Sequence, residues 1–119
     1  SNHKFAHHFE DWAKTKDYKI TVVDDGTSTN ETRLGAVMDV KFAIDKLNIK
    51  DDIMIIAGDN VLDFSLNKFV DYAVDKNTSC VMRYFEADKK KLSKSGVLVL
   101  DGDKITEMQE KPAEPKSNW

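Results

Sequence analysis

Residues 54–61, "MIIAGDNV", decide how this chain is read. An apolar run suited to burial stops abruptly at Gly58-Asp59-Asn60. Residues 53–57 are too uniformly apolar to alternate, which predicts a strand covered on both faces, as in a parallel sheet flanked by helices. A carboxylate at the carboxyl end of such a strand stands where α/β proteins place metal ligands and nucleophiles. Asp59 is therefore the first candidate functional residue.

On either side of this stretch the pattern alternates between two periods. Phe5, Phe9 and Trp12, with Ala6 and Ala13, recur at helical spacing and predict a helix over residues 3–15. Residues 18–23 are β-rich and end at Asp24-Asp25-Gly26; "DDGTSTNETR", residues 24–33, then has no apolar member and reads as a loop. Val37, Val40, Ile44 and Leu47 mark a second helix. Leu66, Phe69, Val70 and Ala73 mark a third, with Ser65 as its expected N-cap. Residues 79–85 are again β-rich, and residues 97–100 and 104–108 flank Asp101-Gly102-Asp103 as a hairpin. Strands alternating with helices predict an α/β fold whose sheet is mainly parallel and flanked by helices, with a C-terminal β-hairpin. Because the order opens on a helix, residues 1–119 are expected to be a single partial domain whose first strand lies upstream.

Composition limits the function classes. Of 119 residues 40% are hydrophobic, enough for a modest core, and 18 basic against 21 acidic residues give a net charge of −3. That balance excludes nucleic acid as the main partner, since phosphate backbones call for a clustered basic surface. Lys89-Lys90-Lys91 reads as a solvated helix face. Cys80 is the single cysteine, which rules out an internal disulfide and fits a cytoplasmic setting. No apolar stretch reaches the roughly 20 residues of a membrane span, so no membrane partner is expected. His3 and His7 share a helix face, but with no third ligand nearby they read as solvent-exposed.

Four features could carry chemistry: Asp24-Asp25, Leu34-Gly35-Ala36, Gly58-Asp59-Asn60 and Glu110-Lys111-Pro112. Together "RLGAVMDV", "DIMIIAGDNVLDFSL", "SGVLVLDGDKITEMQEKP" and "PKSN" resemble, in order and spacing, the middle portion of the sugar-nucleotidyltransferase family. These nucleoside-diphosphate-sugar pyrophosphorylases, glucose-1-phosphate thymidylyltransferase-like enzymes among them, join a nucleoside triphosphate to a sugar 1-phosphate and release pyrophosphate.

The resemblance implies a Rossmann-like, truncated nucleotidyltransferase core that uses Mg2+. Asp59 matches the family aspartate that holds Mg2+ against the triphosphate, where a hard cation prefers carboxylate oxygen. Gly35 matches the glycine lying against the nucleotide base, and Gly96 the one whose backbone contacts the sugar. Glu110 matches the carboxylate that accepts bonds from sugar hydroxyls, and Lys111 the ammonium that meets the sugar phosphate. Asn118 falls in the "P-x-S-N" stretch without an assigned role.

The chain also departs from the family. No Gly-rich phosphate loop is present, Asp39 stands where small residues are usual, and a second metal-binding aspartate is expected beyond residue 119. Because phosphoryl-type transfer depends on positioning and charge stabilisation, the fragment alone is expected to be inactive.

Two other classes compete. A receiver domain phosphorylated on Asp59 would pair that residue with Asp24-Asp25 and Lys111-Pro112. It should begin on its acidic strand, however, and reach Lys-Pro by a parallel strand rather than a hairpin. A non-catalytic nucleotidyltransferase-like module would instead use exposed apolar surface for homo-oligomeric assembly.

Overall fold

Three of the apolar stripes become helices in the computed structural model, which describes residues 1–119 as two units, Ser1–Gly58 and Asp59–Trp119. The first unit holds α1 (His3–Lys14) and α2 (Ala36–Leu47). The second holds α3 (Asn67–Lys76), α4 (Lys89–Leu92), β1 (Gly96–Asp101) and β2 (Lys104–Glu110). No helix is long and apolar enough to cross a membrane.

In the first unit, the Asn2 side chain caps α1 by accepting the Phe5 N–H at 3.2 Å. Such a cap contributes about 1 kcal/mol. The Thr15 hydroxyl donates to the Trp12 carbonyl at 2.7 Å and closes the other end. Ahead of the helix, Ser1 donates to the Val23 carbonyl at 2.8 Å, and the Asp25 N–H returns a bond to the Ser1 carbonyl at 3.0 Å. Those two bonds flank Asp24 in the pattern of a parallel bridge. Helix α2 ends on Asn48 at φ 50°, as α3 in the second unit ends on Asn77 at φ 47°. Asparagine tolerates this left-handed cap better than most residues.

The second unit is organised by its hairpin. Glycine at 102, with φ 59°, takes the first of two loop positions between Asp101 and Lys104, where a positive φ suits the strand twist. The antiparallel register runs from Asp101↔Lys104 back to Gly96↔Glu110. It slips by one residue between Val99 and Leu100, leaving Thr106 unpaired as a bulge. The Thr106 hydroxyl donates to the Val99 carbonyl at 3.1 Å. Val97 (0% exposed), Leu98 and Leu92 form the buried centre of this unit. Ser65, expected as the N-cap of α3, sits one residue outside it: its hydroxyl accepts the Asn67 N–H at 3.2 Å, while Leu66 holds the cap position. Lys89-Lys90-Lys91 form α4, all three exposed.

The sheet differs from expectation. Its only strands are β1 and β2, paired antiparallel, so the chain is α/β with helices and one hairpin but shows no parallel sheet. No main-chain hydrogen bond joins residues 53–57 to another segment. Ile55, expected to be buried on both faces, is 65% exposed. Residues 79–85 likewise form no ladder, and 18–23 contribute only the Val23 carbonyl. The physical reason lies in pairing range. A hairpin strand finds its partner across a two-residue turn, whereas a parallel strand needs a neighbour delivered by a long crossover. Apolar composition shows that a run suits burial without supplying that neighbour.

Candidate functional site

The end of β2 gathers three of the residues singled out in the sequence. The Gly96↔Glu110 pairing places the Glu110 carboxylate over Gly96, where a Cβ would lie 4.0 Å from Oε2. Lys111 follows directly, and its N–H donates to the Ser95 carbonyl at 3.0 Å, extending the hairpin by one bond. Its Nζ lies 3.4 Å from Glu110 Oε1, with both side chains more than half exposed. An ion pair this exposed contributes little to stability, so both groups stay available to a ligand.

Lys111 has φ 45°, the only positive φ among residues other than glycine and asparagine. A β-carbon is disfavoured there, and such strained residues concentrate at binding and catalytic sites. Pro112 does not account for the positive φ, because a proline biases the residue before it toward extended backbone with negative φ. Carboxylate, ammonium and an uncovered glycine backbone together can receive a hydroxyl-rich ligand bearing a phosphate.

Asp59 opens the second unit, in a turn with Gly58, and is exposed. It accepts no hydrogen bond and joins no ion pair, so its oxygens are free to act as hard donors. Gly58 has open space around its missing Cβ and no positive φ, so the backbone does not demand a glycine there. No cluster of three potential metal-ligating side chains forms in the chain, and Asp59 stands as a single carboxylate. A recess of about 510 Å³ lies along α3, lined by Phe64, Lys68, Phe69, Tyr72 and Met82 among others. It includes none of the predicted site residues.

In the first unit, Gly35 begins α2 at φ 86°, ψ 156°, a region open essentially to glycine alone. Its carbonyl accepts the Asp39 N–H at 2.9 Å, and nothing lies within 4 Å of where its Cβ would be. The conformation thus requires glycine, and the face it leaves bare is open to a flat group. Asp39, on the first turn of α2, has Oδ1 withdrawn from solvent without a partner.

Asp24 and Asp25 each fold their carboxylate back onto the loop, accepting the Gly26 N–H at 2.8 Å and the Thr27 N–H at 2.7 Å. His3 Nδ1 meets Asp24 Oδ2 at 2.6 Å. This hydrogen bond, followed by the Gly26 N–H, holds the Asp24 carboxyl below its usual pKa, while Asp24 raises that of His3. The Thr27 backbone and hydroxyl lower Asp25 in the same way. These bonds give Asp24 and Asp25 local structural roles. His3 is therefore not simply a solvated histidine: it anchors the start of α1 to the loop.

Glu86 had no sequence signal. Glu86 and Asn118 bond each other through the backbone of Glu86, and only the "PKSN" spelling hinted at Asn118. Lys111-Pro112, for their part, leave an antiparallel hairpin strand rather than the parallel strand a receiver domain would use.

Comparison with known proteins identifies the family of the chain. Residues 1–119 match the nucleotidyl transferase family throughout. A Sulfolobus acidocaldarius protein named "Putative mannose-1-phosphate guanyltransferase" is 32% identical over 88 residues, covering 74% of this chain and 24% of its own length. Glucose-1-phosphate adenylyltransferases of Thermotoga maritima (31% identical) and Lachnospira eligens (34%) each align over 67 residues, 56% of this chain and 16% of theirs. The chain thus spans a quarter or less of the length of these relatives. No solved structure matches. On the match over its whole length, the chain belongs to the nucleotidyl transferase family.

Proposed function

We propose that this chain supplies the central part of a sugar-nucleotidyltransferase. In the reaction, an oxygen of a sugar 1-phosphate attacks the α-phosphorus of a nucleoside triphosphate. The bond from that phosphorus to the α,β-bridging oxygen breaks, and pyrophosphate leaves. The observation carrying this reading is the hairpin corner, where the Gly96↔Glu110 register and the positive φ of Lys111 bring together the three residues assigned to the sugar phosphate. The relatives' names, which pair a sugar 1-phosphate with guanyl or adenylyl transfer, support the substrate class.

In this reading Glu110 accepts hydrogen bonds from sugar hydroxyls, and Lys111 neutralises the sugar phosphate as a point charge. The bare face of Gly35 receives the base. Asp59 is the residue that would hold Mg2+: one free carboxylate plus the phosphates of a nucleotide is a donor set that this hard cation accepts. When bound, the ion offsets negative charge on the triphosphate. Residues 18–23, 53–57 and 79–85 are strands of the mainly parallel, Rossmann-like sheet of the complete domain, for which the parallel bridge around Asp24 is a precedent in the chain itself. Without a Gly-rich phosphate loop in its 119 residues the chain alone is inactive, and measurable synthesis of a nucleotide sugar by it would overturn that.

Calorimetric titration of the full chain with glucose 1-phosphate and mannose 1-phosphate tests the site. Lys111→Ala should weaken binding about tenfold or more, the scale of one charge-assisted contact. Unchanged affinity in that variant sinks the assignment. A second reading, assembly through apolar surface, draws on the exposure of Ile53, Met54, Ile55 and Ile56. Sedimentation as a clean monomer at high concentration removes it.

A further inference from the structure

The geometry points to Asn118 as a positioning residue for the Glu110–Lys111 corner, acting through a strap formed by the last residues of the chain; this rests on the sugar-phosphate reading of that corner. Asn118 joins Glu86 by two hydrogen bonds. The Glu86 N–H donates to the Asn118 carbonyl at 2.9 Å, and the Asn118 side-chain amide donates to the Glu86 carbonyl at 2.7 Å. Both main-chain polar groups of Glu86 are thereby satisfied by one residue 32 positions away. Glu86 is itself held locally, since its carboxylate accepts the Asp88 N–H at 2.9 Å and lies 3.5 Å from Lys91 Nζ.

The neighbours of Asn118 fasten to the free edge of β1. The Leu98 N–H donates to the Trp119 carbonyl at 2.8 Å, and the Ser117 hydroxyl donates to the Leu98 carbonyl. The Trp119 ring meets Phe85 edge-on at 5.3 Å and lies 4.1 Å beneath the Arg83 guanidinium. Residues 117–119 thus join β1 to the run ending at Glu86, two segments that share no other ladder.

The consequence falls on Lys111. Residues 111–117 form a loop pinned at one end by the Lys111–Ser95 bond and at the other by the Ser117–Leu98 bond. Between the pins, the Lys116 N–H donates to Gln109 Oε1 at 3.1 Å, and Lys116 Nζ pairs with Glu107 at 2.8 Å. A positive φ on a lysine persists only where the surroundings over-determine it. The two pins supply that constraint, and the Asn118 side chain, by tying the residue next to Ser117 to the Glu86 carbonyl, holds the far pin in register. Released at the far end, the loop relaxes to negative φ and swings the ammonium away from Gly96 and Glu110.

NMR of the full chain without ligand tests this, using the strong intraresidue amide-to-Hα cross-peak that a positive φ produces at Lys111. Asn118→Ala should remove that cross-peak and speed Lys111 amide exchange about tenfold, leaving the amides near Gly102 unchanged. Trp119→Leu is the control for general loosening, because it strips the aromatic packing but keeps the Asn118–Glu86 bonds. It should lower the melting temperature and leave the Lys111 signal in place. Retention of the cross-peak in Asn118→Ala, or its equal loss in both variants, overturns the positioning role. Titration with glucose 1-phosphate then separates the two ideas. If Lys111→Ala does not weaken binding, the sugar-phosphate reading fails. If it does while Asn118→Ala binds like the parent, only the positioning role fails.

Discussion

The Gly96–Glu110 hairpin and residues 53–57 are both β-rich, yet the first forms a ladder with Val97 fully buried while the second lies open with Ile55 65% exposed. The hairpin carries its partner within its own sequence, and Gly102 makes the turn that delivers it. Residues 53–57 have stronger apolar character but no partner that a short loop can bring. Closing a long loop has an entropic cost before any contact repays it, so local pairing forms where non-local pairing does not. Strand-forming composition is therefore not what separates the two regions; the distance in sequence to a partner is.

A paired substitution tests that contrast and should give the largest effect. Val97→Asp places an unpaired charge in a fully buried position and should destabilise the second unit by about 4 kcal/mol, read by chemical denaturation. Ile55→Asp, made at an exposed position, should change stability by less than about 0.5 kcal/mol. A loss at residue 55 as large as that at 97 would mean that residues 53–57 are buried in a sheet, and the contrast would be gone.

The start of α2 and the hairpin corner differ in how glycine and lysine carry backbone strain. At Gly35, φ 86° and ψ 156° exclude a β-carbon, so Gly35→Ala should cost about 2 kcal/mol despite the open space around it. Gly96→Ala is the matched comparison: its new Cβ would make only an ordinary contact with Glu110, and its φ is not positive, so stability should hardly move. Lys111 is the reverse case, a side-chain-bearing residue where glycine would be more at ease. Lys111→Gly should stabilise the chain by about 1 kcal/mol while abolishing sugar-phosphate binding. A gain in stability with a loss of affinity is the signature of strain kept for function. If Lys111→Gly is destabilised instead, the positive φ is not strained.

These positions show what the sequence made legible. Helices α1 to α3 could be read from 3.6-residue periodicity, because each helix closes its own hydrogen bonds and needs only a face to bury. The hairpin could be read from Asp-Gly between β-rich runs. Strand partners could not, since a uniformly apolar run reports burial and not the identity of its neighbour. The left-handed caps at Asn48 and Asn77 have a signal in the sequence, an asparagine just past each helical stripe. In the site, Asp-Gly marked the hairpin but not its register: the bulge at Thr106, which has no sequence signal, shifts the pairing so that Gly96 faces Glu110, and the roles assigned to Glu110 and Lys111 rest on family resemblance alone. The positive φ of Lys111 had no sequence signal: a lysine before proline is ordinary, and the constraint comes from Ser95, Leu98 and Glu86.

The smallest expected effect concerns the first unit, where His3 and Asp24 tie α1 to its loop at 2.6 Å. Asp24 raises the His3 pKa, so the histidine's contribution is complete below its ordinary value of 6.5 and is lost as pH rises through the raised value. His3 lowers the Asp24 pKa, so the aspartate's contribution is complete above its ordinary value of 3.8 and is lost as pH falls through the lowered value. Both are in place only between these limits. His3→Ala should therefore melt at a lower temperature than the parent chain across that window, with the two curves converging toward alkaline pH and again under strong acid. Because the imidazole is largely exposed, screening keeps the gap small, and added salt should narrow it further. A gap that is constant with pH would assign the effect of His3 to packing rather than to charge, leaving α1 tied to its loop by the Ser1 and Thr27 backbone bonds alone.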